Sequence, residues 1–231
     1  AINSQKVTVT RGTTDTPGAF TAGVTTVVLG GVKNPVVSGA TGTYTITTTN
    51  TGGTAIDTLT TVAESTLTPG VITNADVTPA SLAAGASGAV TATFTIVNDV
   101  PADGKFEIKF PTGFDVSSAT ITSISGQGGT AGTGHTIAID GQKVTVTRGT
   151  ADTPGAFTAG VTTVVLGSVK NPGISGTTGT YIITTTNTAG TAIDRLTTVA
   201  ESTLIPGVIT NADVTPASLV AGASDAVTAT F

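Results

Sequence analysis

The chain has 231 residues, a net charge of −5 and a pI near 4.6. That acidic balance argues against nucleic acid or an anionic membrane surface as partner. Only 10% of residues are charged, 54 are Thr and 30 are Gly, with no Cys, Met or Trp, so solvent faces must be built from hydroxyls and small residues, and disulfides and thiolate chemistry are excluded. Thr and Gly interrupt every apolar run before it reaches the roughly 18 residues of a membrane-spanning helix.

Residues 5–94 and 142–231 are nearly the same text: at a fixed offset of 137 they differ at 11 of 90 positions. A period this long means one whole domain per repeat. Residues 95–141 occur once. The repeat divides the chain into a closing part at 1–73, a complete period at 74–210 and an opening strand at 211–231.

In chain order, Asn3-Ser4 stands where the second copy carries Asp140-Gly141. Ser accepts positive φ less readily than Gly, so a tight hairpin is not expected at the first position. The stretch 71–81 reads as a joint, with Asn, Asp and Pro79 around little to bury. Residues 88–97 form a half-buried strand, with Val90, Ala92, Phe94 and Ile96 alternating with Thr. A turn at 98–104 precedes the clearest alternation in the chain, Phe106, Ile108 and Phe110 against Lys105, Glu107 and Lys109. A loop at 111–114, a weaker strand at 119–125 and a glycine-rich loop at 126–134 follow. Residues 136–148 read as a hairpin with a type I′ turn on Asp140-Gly141.

After a turn at 152–155, residues 161–169 are apolar on both faces, as suits a central strand of a sandwich. Asn171-Pro172 ends it, because Pro cannot donate to the ladder. Residues 179–187 are another strand. In 191–204 the spacing of Ile193, Leu196, Ala200 and Leu204 fits a helix, while the Thr content favours a strand; extended structure is the expectation. Seven or eight short strands per period and almost no helix define an all-β fold of tandem immunoglobulin-like β-sandwich domains. The short internal repeat of a parallel β-helix is missing.

The segments VTPASLAAGASGAVTATF, PADGKFEIKFPTGFDVSSA, IDGQKVTVTRG and VKNPGISGTTGTYIITTT, in this order, resemble the tandem immunoglobulin-like repeats of large bacterial and archaeal surface proteins. The resemblance covers the whole chain and implies stalks, fibres or adhesin shafts on the cell surface.

No catalytic constellation is legible, and the chain is expected not to be an enzyme. His135, the single histidine, has no spaced nucleophile or co-ligand and is expected in an exposed loop. Asn98, Asp99 and Asp103 make an oxygen-rich turn that could hold calcium with help from Asp76 or Asp213, but a third closely spaced carboxylate is missing; no other cofactor is implied. Lys105 or Lys143 with Asn171 or Asn187 and Glu201 could form an isopeptide cross-link, against the plainer reading of charge pairs. Thr43, Thr45, Thr47 and Thr49, like Thr180, Thr184 and Thr186, form threonine faces that are solvated, O-glycosylated or covered by a neighbour. Strand residues outside the core are mostly Thr, which leaves edges open to another chain.

The expected function is a structural extracellular filament, stalk or surface-layer-like fibre, whose partners are copies of itself arranged head to tail. Ser218, Val220, Val227, Ala229 and Phe231 are the candidate subunit contacts, by strand donation. Truncation of a longer polypeptide explains the same open repeat equally well. The alternative is an adhesin or carbohydrate-binding module; Tyr44 and Tyr181 are its only Tyr platforms, and both are at strand positions.

Overall fold

A computed structural model describes residues 2, 3, 5–12, 21–126, 134–148 and 158–231. The turn expected at 152–155 and the glycine-rich stretch between Gly126 and Gly134 fall outside them. The chain divides into two compact units, Ala1–Asn34 and Pro35–Phe231. The described residues contain no helix, so the protein is all-β.

Among its described residues the first unit holds one small hairpin, β1 (Ile2–Asn3) with β2 (Lys6–Val7), in which Asn3 pairs with Lys6. A hairpin does form here, contrary to expectation. In the second unit come β3 (Gly39–Ala40), β4 (Tyr44–Thr49), β5 (Ala55–Val62) and β6 (Thr66–Leu67). Then follow β7 (Gly70–Val71), β8 (Thr73–Pro79), β9 (Ser87–Ile96), β10 (Lys105–Lys109), β11 (Thr120–Ser125) and β12 (His135–Asp140). The next are β13 (Lys143–Arg148), β14 (Gly160–Lys170), β15 (Gly176–Thr177), β16 (Tyr181–Thr186), β17 (Ala192–Val199) and β18 (Thr203–Leu204). The last are β19 (Asp213–Pro216) and β20 (Val227–Thr230).

Two sheets make a sandwich. One runs β12-β13-β10-β16-β17-β7 and the other β11-β14-β9-β8. Neighbours are antiparallel except β7, which lies parallel to β17. Alternation along β9 and β10 turns Val90, Ala92, Phe94 and Ile96 toward Phe106 and Ile108, and all six are buried. Phe94 meets Phe106 edge-on at 5.7 Å, and Phe110, Phe114 and Tyr181 form a second aromatic cluster with centroids 5.4–5.7 Å apart.

Several expectations change. The stretch 71–81 is mostly strand, with Ile72 and Val77 in the core. Its Asn and Asp serve a bulge between Thr73 and Asp76, where Asn74 takes φ +48°. Strand β14 is central in its sheet, but only one face is buried, since Val161 is exposed and Val165 half-buried. The β12–β13 turn closes on Asp140 paired with Lys143, so Gly141-Gln142 are its central residues. Only Gly141 has positive φ, +57°, the pattern of a type II′ rather than a type I′ turn. Residues 192–199 are a strand whose pairing with β16 shifts register twice, and the shifts convert period 2 into the helix-like spacing of Ile193 and Leu196.

Candidate functional site

The same residues occupy two environments. Tyr181 and Ile183 of β16 are fully buried, whereas their counterparts Tyr44 and Ile46 in β4 are 48% and 60% exposed. Ile193 of β17 is buried and Ile56 of β5 is exposed. The two copies differ in the strands that lie beside them. Strand β16 is flanked by β10 and β17, but β4 pairs with β5 alone, and no copy of β10 exists in the first block. Similarly, β19 and β20 repeat β8 and β9 without a copy of β14 beside them. Phe231 is 84% exposed where Phe94 is completely buried.

The strand pairs of the flanking copies keep the registers of the complete sandwich. In β19–β20, Asp213 faces Thr230, Val214 faces Ala229, Thr215 faces Thr228 and Pro216 faces Val227. This reproduces β8–β9, where Asp76 faces Thr93, Val77 faces Ala92, Thr78 faces Thr91 and Pro79 faces Val90. Of the expected subunit contacts, Val220, Val227, Ala229 and Phe231 are exposed. Ser218 is half-buried in the turn, where its hydroxyl oxygen accepts from the Val220 amide at 3.3 Å.

A joint links the first block to the complete sandwich within the second unit. The Ser38 amide and hydroxyl both donate to the Ala192 carbonyl, at 2.9 and 2.7 Å. Val36 and Val37 pack on the core beside them. Strand β7 continues the contact along β17, where a Cβ on Gly70 would overlap Asp194 Oδ1. Asp194 is completely buried and accepts from the Val97 and Asn98 amides at 3.1 and 3.0 Å and from Asn98 Nδ2 at 2.7 Å. A buried carboxylate needs such donors, because stripping its water without replacement costs several kcal/mol. Sequence reasoning passed over Asp194, since a lone acid in a Thr-rich run carries no signal until its donors from residues 97–98 are known.

The calcium candidates do not converge. Asn98 is bonded to Asp194, Asp99 Oδ1 accepts from the Ala159 amide at 2.7 Å, and Asp103 stands exposed in the turn. Asp76 and Asp213 each bind the hydroxyl two residues on, Thr78 at 2.6 Å and Thr215 at 2.7 Å. Among the described residues no three carboxylate, His or Cys side chains gather as for a metal. The isopeptide candidates are likewise apart. Lys143 Nζ sits 3.3 Å from Glu107 Oε1 and Lys105 donates to the Thr188 carbonyl at 3.1 Å. Asn171 is buried and donates to the Ser81 and Ala83 carbonyls, at 2.7 and 3.0 Å, while Asn187 Oδ1 accepts from the Thr191 amide.

His135 is not an exposed loop residue. It opens β12 opposite Arg148, and both are buried. The threonine faces divide: Thr45, Thr47 and Thr49 of β4 are exposed, but Thr186 is in the core together with Thr185, whose hydroxyl oxygen accepts from the Asp194 amide at 2.9 Å. Tyr181 offers no platform to a sugar, and burial pushes its phenol pKa up, with side-chain hydrogen bonds to Ser202 and Thr178 opposing. The outer face of the larger sheet carries a shallow groove lined by Glu107, Lys109, Lys143, Ile182, Thr184 and Arg195.

No family model and no curated protein matches the chain. Among solved structures, it is similar to BslA, described as a bacterial hydrophobin, at 18% identity and a TM-score of 0.34, over 59% of this chain and 98% of that one. It is also similar to a non-cellulosomal cohesin from the hyperthermophilic archaeon Archaeoglobus fulgidus, at 10% identity and a TM-score of 0.32, over 60% and 92% of the two chains. Likeness at these scores assigns no function.

Proposed function

We propose that the protein is a structural, non-enzymatic component of an extracellular fibre or stalk, in which immunoglobulin-like sandwiches follow one another head to tail. The observation that carries this reading is the double life of one sequence. Residues that are core in the complete sandwich are surface in the flanking copies, and burying them again needs strands from elsewhere.

The joint supports a shaft rather than beads on a flexible string. Hydrogen bonds from Ser38 to β17, the apolar contacts of Val36 and Val37 and the β7 ladder all fix these residues of the second unit to its sandwich. The matching surface of the complete sandwich, Ile174 with Val208 and Ile209, is exposed, so the same joint is open to repetition. Exposed strands rich in Thr and poor in charge provide edges that accept a further strand. Hydroxyls on β4 are available to O-linked glycans.

Negative-stain electron microscopy of the chain at neutral pH tests the reading. Filaments or linear oligomers are expected, and they should vanish when residues 218–231 are deleted. Dispersed single particles at all concentrations would sink it. The groove around Lys109, Lys143 and Arg195, with Glu107 beside them, is what favours the adhesin reading; a strong hit on an acidic glycan that is lost with Arg195→Ala would place that reading first.

A further inference from the structure

The chain enters and leaves the complete sandwich at opposite ends. Strand β7 lies beside Asp194, whose carboxylate accepts from the Val97 and Asn98 amides just past the end of β9. Ile205, on the way out, is bonded to residues 82–84, just before β9 begins. Entry and exit are therefore separated by the ten residues of β9, roughly 33 Å of extended chain.

At each end the terminal segment is held by a parallel contact. At the entry Gly70 pairs with Asp194 and Val71 with Arg195, in a sheet whose other neighbours are antiparallel. A Cβ on Gly70 would collide with the side chains of Asp194, Asn98 and Val97, so Gly at this position is what lets β7 come flush against β17. The Ser38 amide and hydroxyl add two bonds to the Ala192 carbonyl, two residues before Asp194. At the exit the Ile205 amide donates to the Leu82 carbonyl, and the Ile205 carbonyl accepts from the Ala84 amide, both at 2.8 Å. This is a parallel bridge centred on Ala83. Buried Asn171 backs it, donating from Nδ2 to the Ser81 and Ala83 carbonyls at 2.7 and 3.0 Å.

We propose that the complete sandwich is a load-bearing unit, in which these two parallel contacts act as clamps against tension along the chain. This rests on the fibre or stalk reading and gives it a mechanical function. Because β7 runs parallel to β17, tension draws Gly70 back toward lower numbers and β17 forward toward higher ones, so the strands slide past each other. The bonds between parallel strands lie across that motion and share the load. In strands pulled apart from one end, the bonds lie along the pull and break one at a time. Ile205 is held in the same way, by two bonds loaded together.

The clamps also spread the load into both sheets. Asp194 belongs to β17 of the larger sheet, and its carboxylate grips the segment that follows β9 of the smaller one. Breaking that grip would leave a buried charge without donors, which is costly. Asn171 does the corresponding work at the exit, since it follows β14 and holds the segment between β8 and β9.

Force spectroscopy on the full chain, which has no native Cys, tests the proposal. Handles on Thr68→Cys and Val208→Cys, both exposed positions, load the two clamps in shear. Handles on Thr68→Cys and Thr188→Cys, also exposed, stand before β7 and β17 at one end and peel these strands apart from Gly70 onward. With two bonds sharing the load in place of one, the rupture force is expected to be about twofold higher in the first geometry. Ile205→Pro removes the amide that donates to Leu82. It should lower the force in the first geometry and leave the second unchanged. Equal forces in the two geometries would overturn the proposal, and this comparison holds even if the Pro variant does not fold. A folded Pro variant with unchanged force in the first geometry would overturn it as well. Filaments together with equal forces would sink the clamps and leave the fibre reading standing. Unequal forces in a chain that stays dispersed would leave the clamps and sink the fibre reading.

Discussion

Ile183 and Ile46 are one residue in two copies of one strand, and their truncation to Ala measures directly how differently the copies are built. Ile183 is enclosed between the two sheets, whereas Ile46 lies on a two-stranded hairpin in solvent. Removing three carbons from a buried side chain forfeits about 2.4 kcal/mol of transfer energy at ~0.8 kcal/mol per methylene. The cavity left between Ile108 and the β17 side chains adds to it, for a total of about 3–4 kcal/mol. A loss of this size lowers the melting temperature by roughly 10 °C in a sandwich of this length. Ile46→Ala, by contrast, should change stability by less than about 0.5 kcal/mol.

Urea unfolding of both variants, followed by circular dichroism and by Tyr fluorescence at a dilution that keeps the chain monomeric, gives the comparison. Both signals are needed because Tyr181 reports the complete sandwich and Tyr44 the hairpin. Equal losses at the two positions would refute the reasoning, since they would mean that β4 is enclosed like β16. A large loss at Ile46 alone would refute it more severely.

Asp194→Ala should cost about 3 kcal/mol by orphaning the Val97 and Asn98 amides and Asn98 Nδ2. Gly70→Ala should strike the same site from the other side, because its Cβ overlaps Asp194 Oδ1, and the double variant should lose less than the sum; additive losses in equilibrium unfolding would contradict a shared site. Burial raises the Tyr181 pKa, so its contribution is complete below the free-phenol value near 10 and is lost as pH rises through the folded-state value. Tyr181→Phe should therefore flatten the fall in stability above about pH 10, and a slope unchanged by the substitution would count against that burial. Ser168→Gly should stabilise the sandwich by roughly 0.5 kcal/mol, because Ser168 holds φ +58° where the other copy has Gly; a loss of stability by calorimetry would show that the Ser side chain has an unrecognised role.

Much of the sandwich was legible because period-2 patterning survives wherever the ladder is regular. The strands around Phe94 and Phe106 are of this kind. Legibility failed where the ladder is irregular. The bulge at Asn74 hid a strand behind turn-forming residues, and the shifts between β16 and β17 gave a strand helical spacing and turned Thr186 inward. His135 was misplaced because the glycine-rich stretch before it suggested a loop that ends after it, whereas β12 begins on it. The half-sandwiches were legible in a different way. Identical sequence predicts identical strands, but burial differs with the strands that lie beside each copy. Asp194 and the joint it anchors were not legible, since they depend on contacts between residues some 97 positions apart.

Sedimentation velocity of the intact chain against Val227→Asp tests assembly through the repeat edges most directly. Val227 is exposed in the single chain, so the substitution leaves the complete sandwich alone and places a charge on the apolar face of β20. The account predicts species that grow in mass with concentration for the intact chain, and a monomer at every concentration for the variant. A monomeric intact chain, or assembly indifferent to the charge at Val227, would contradict it.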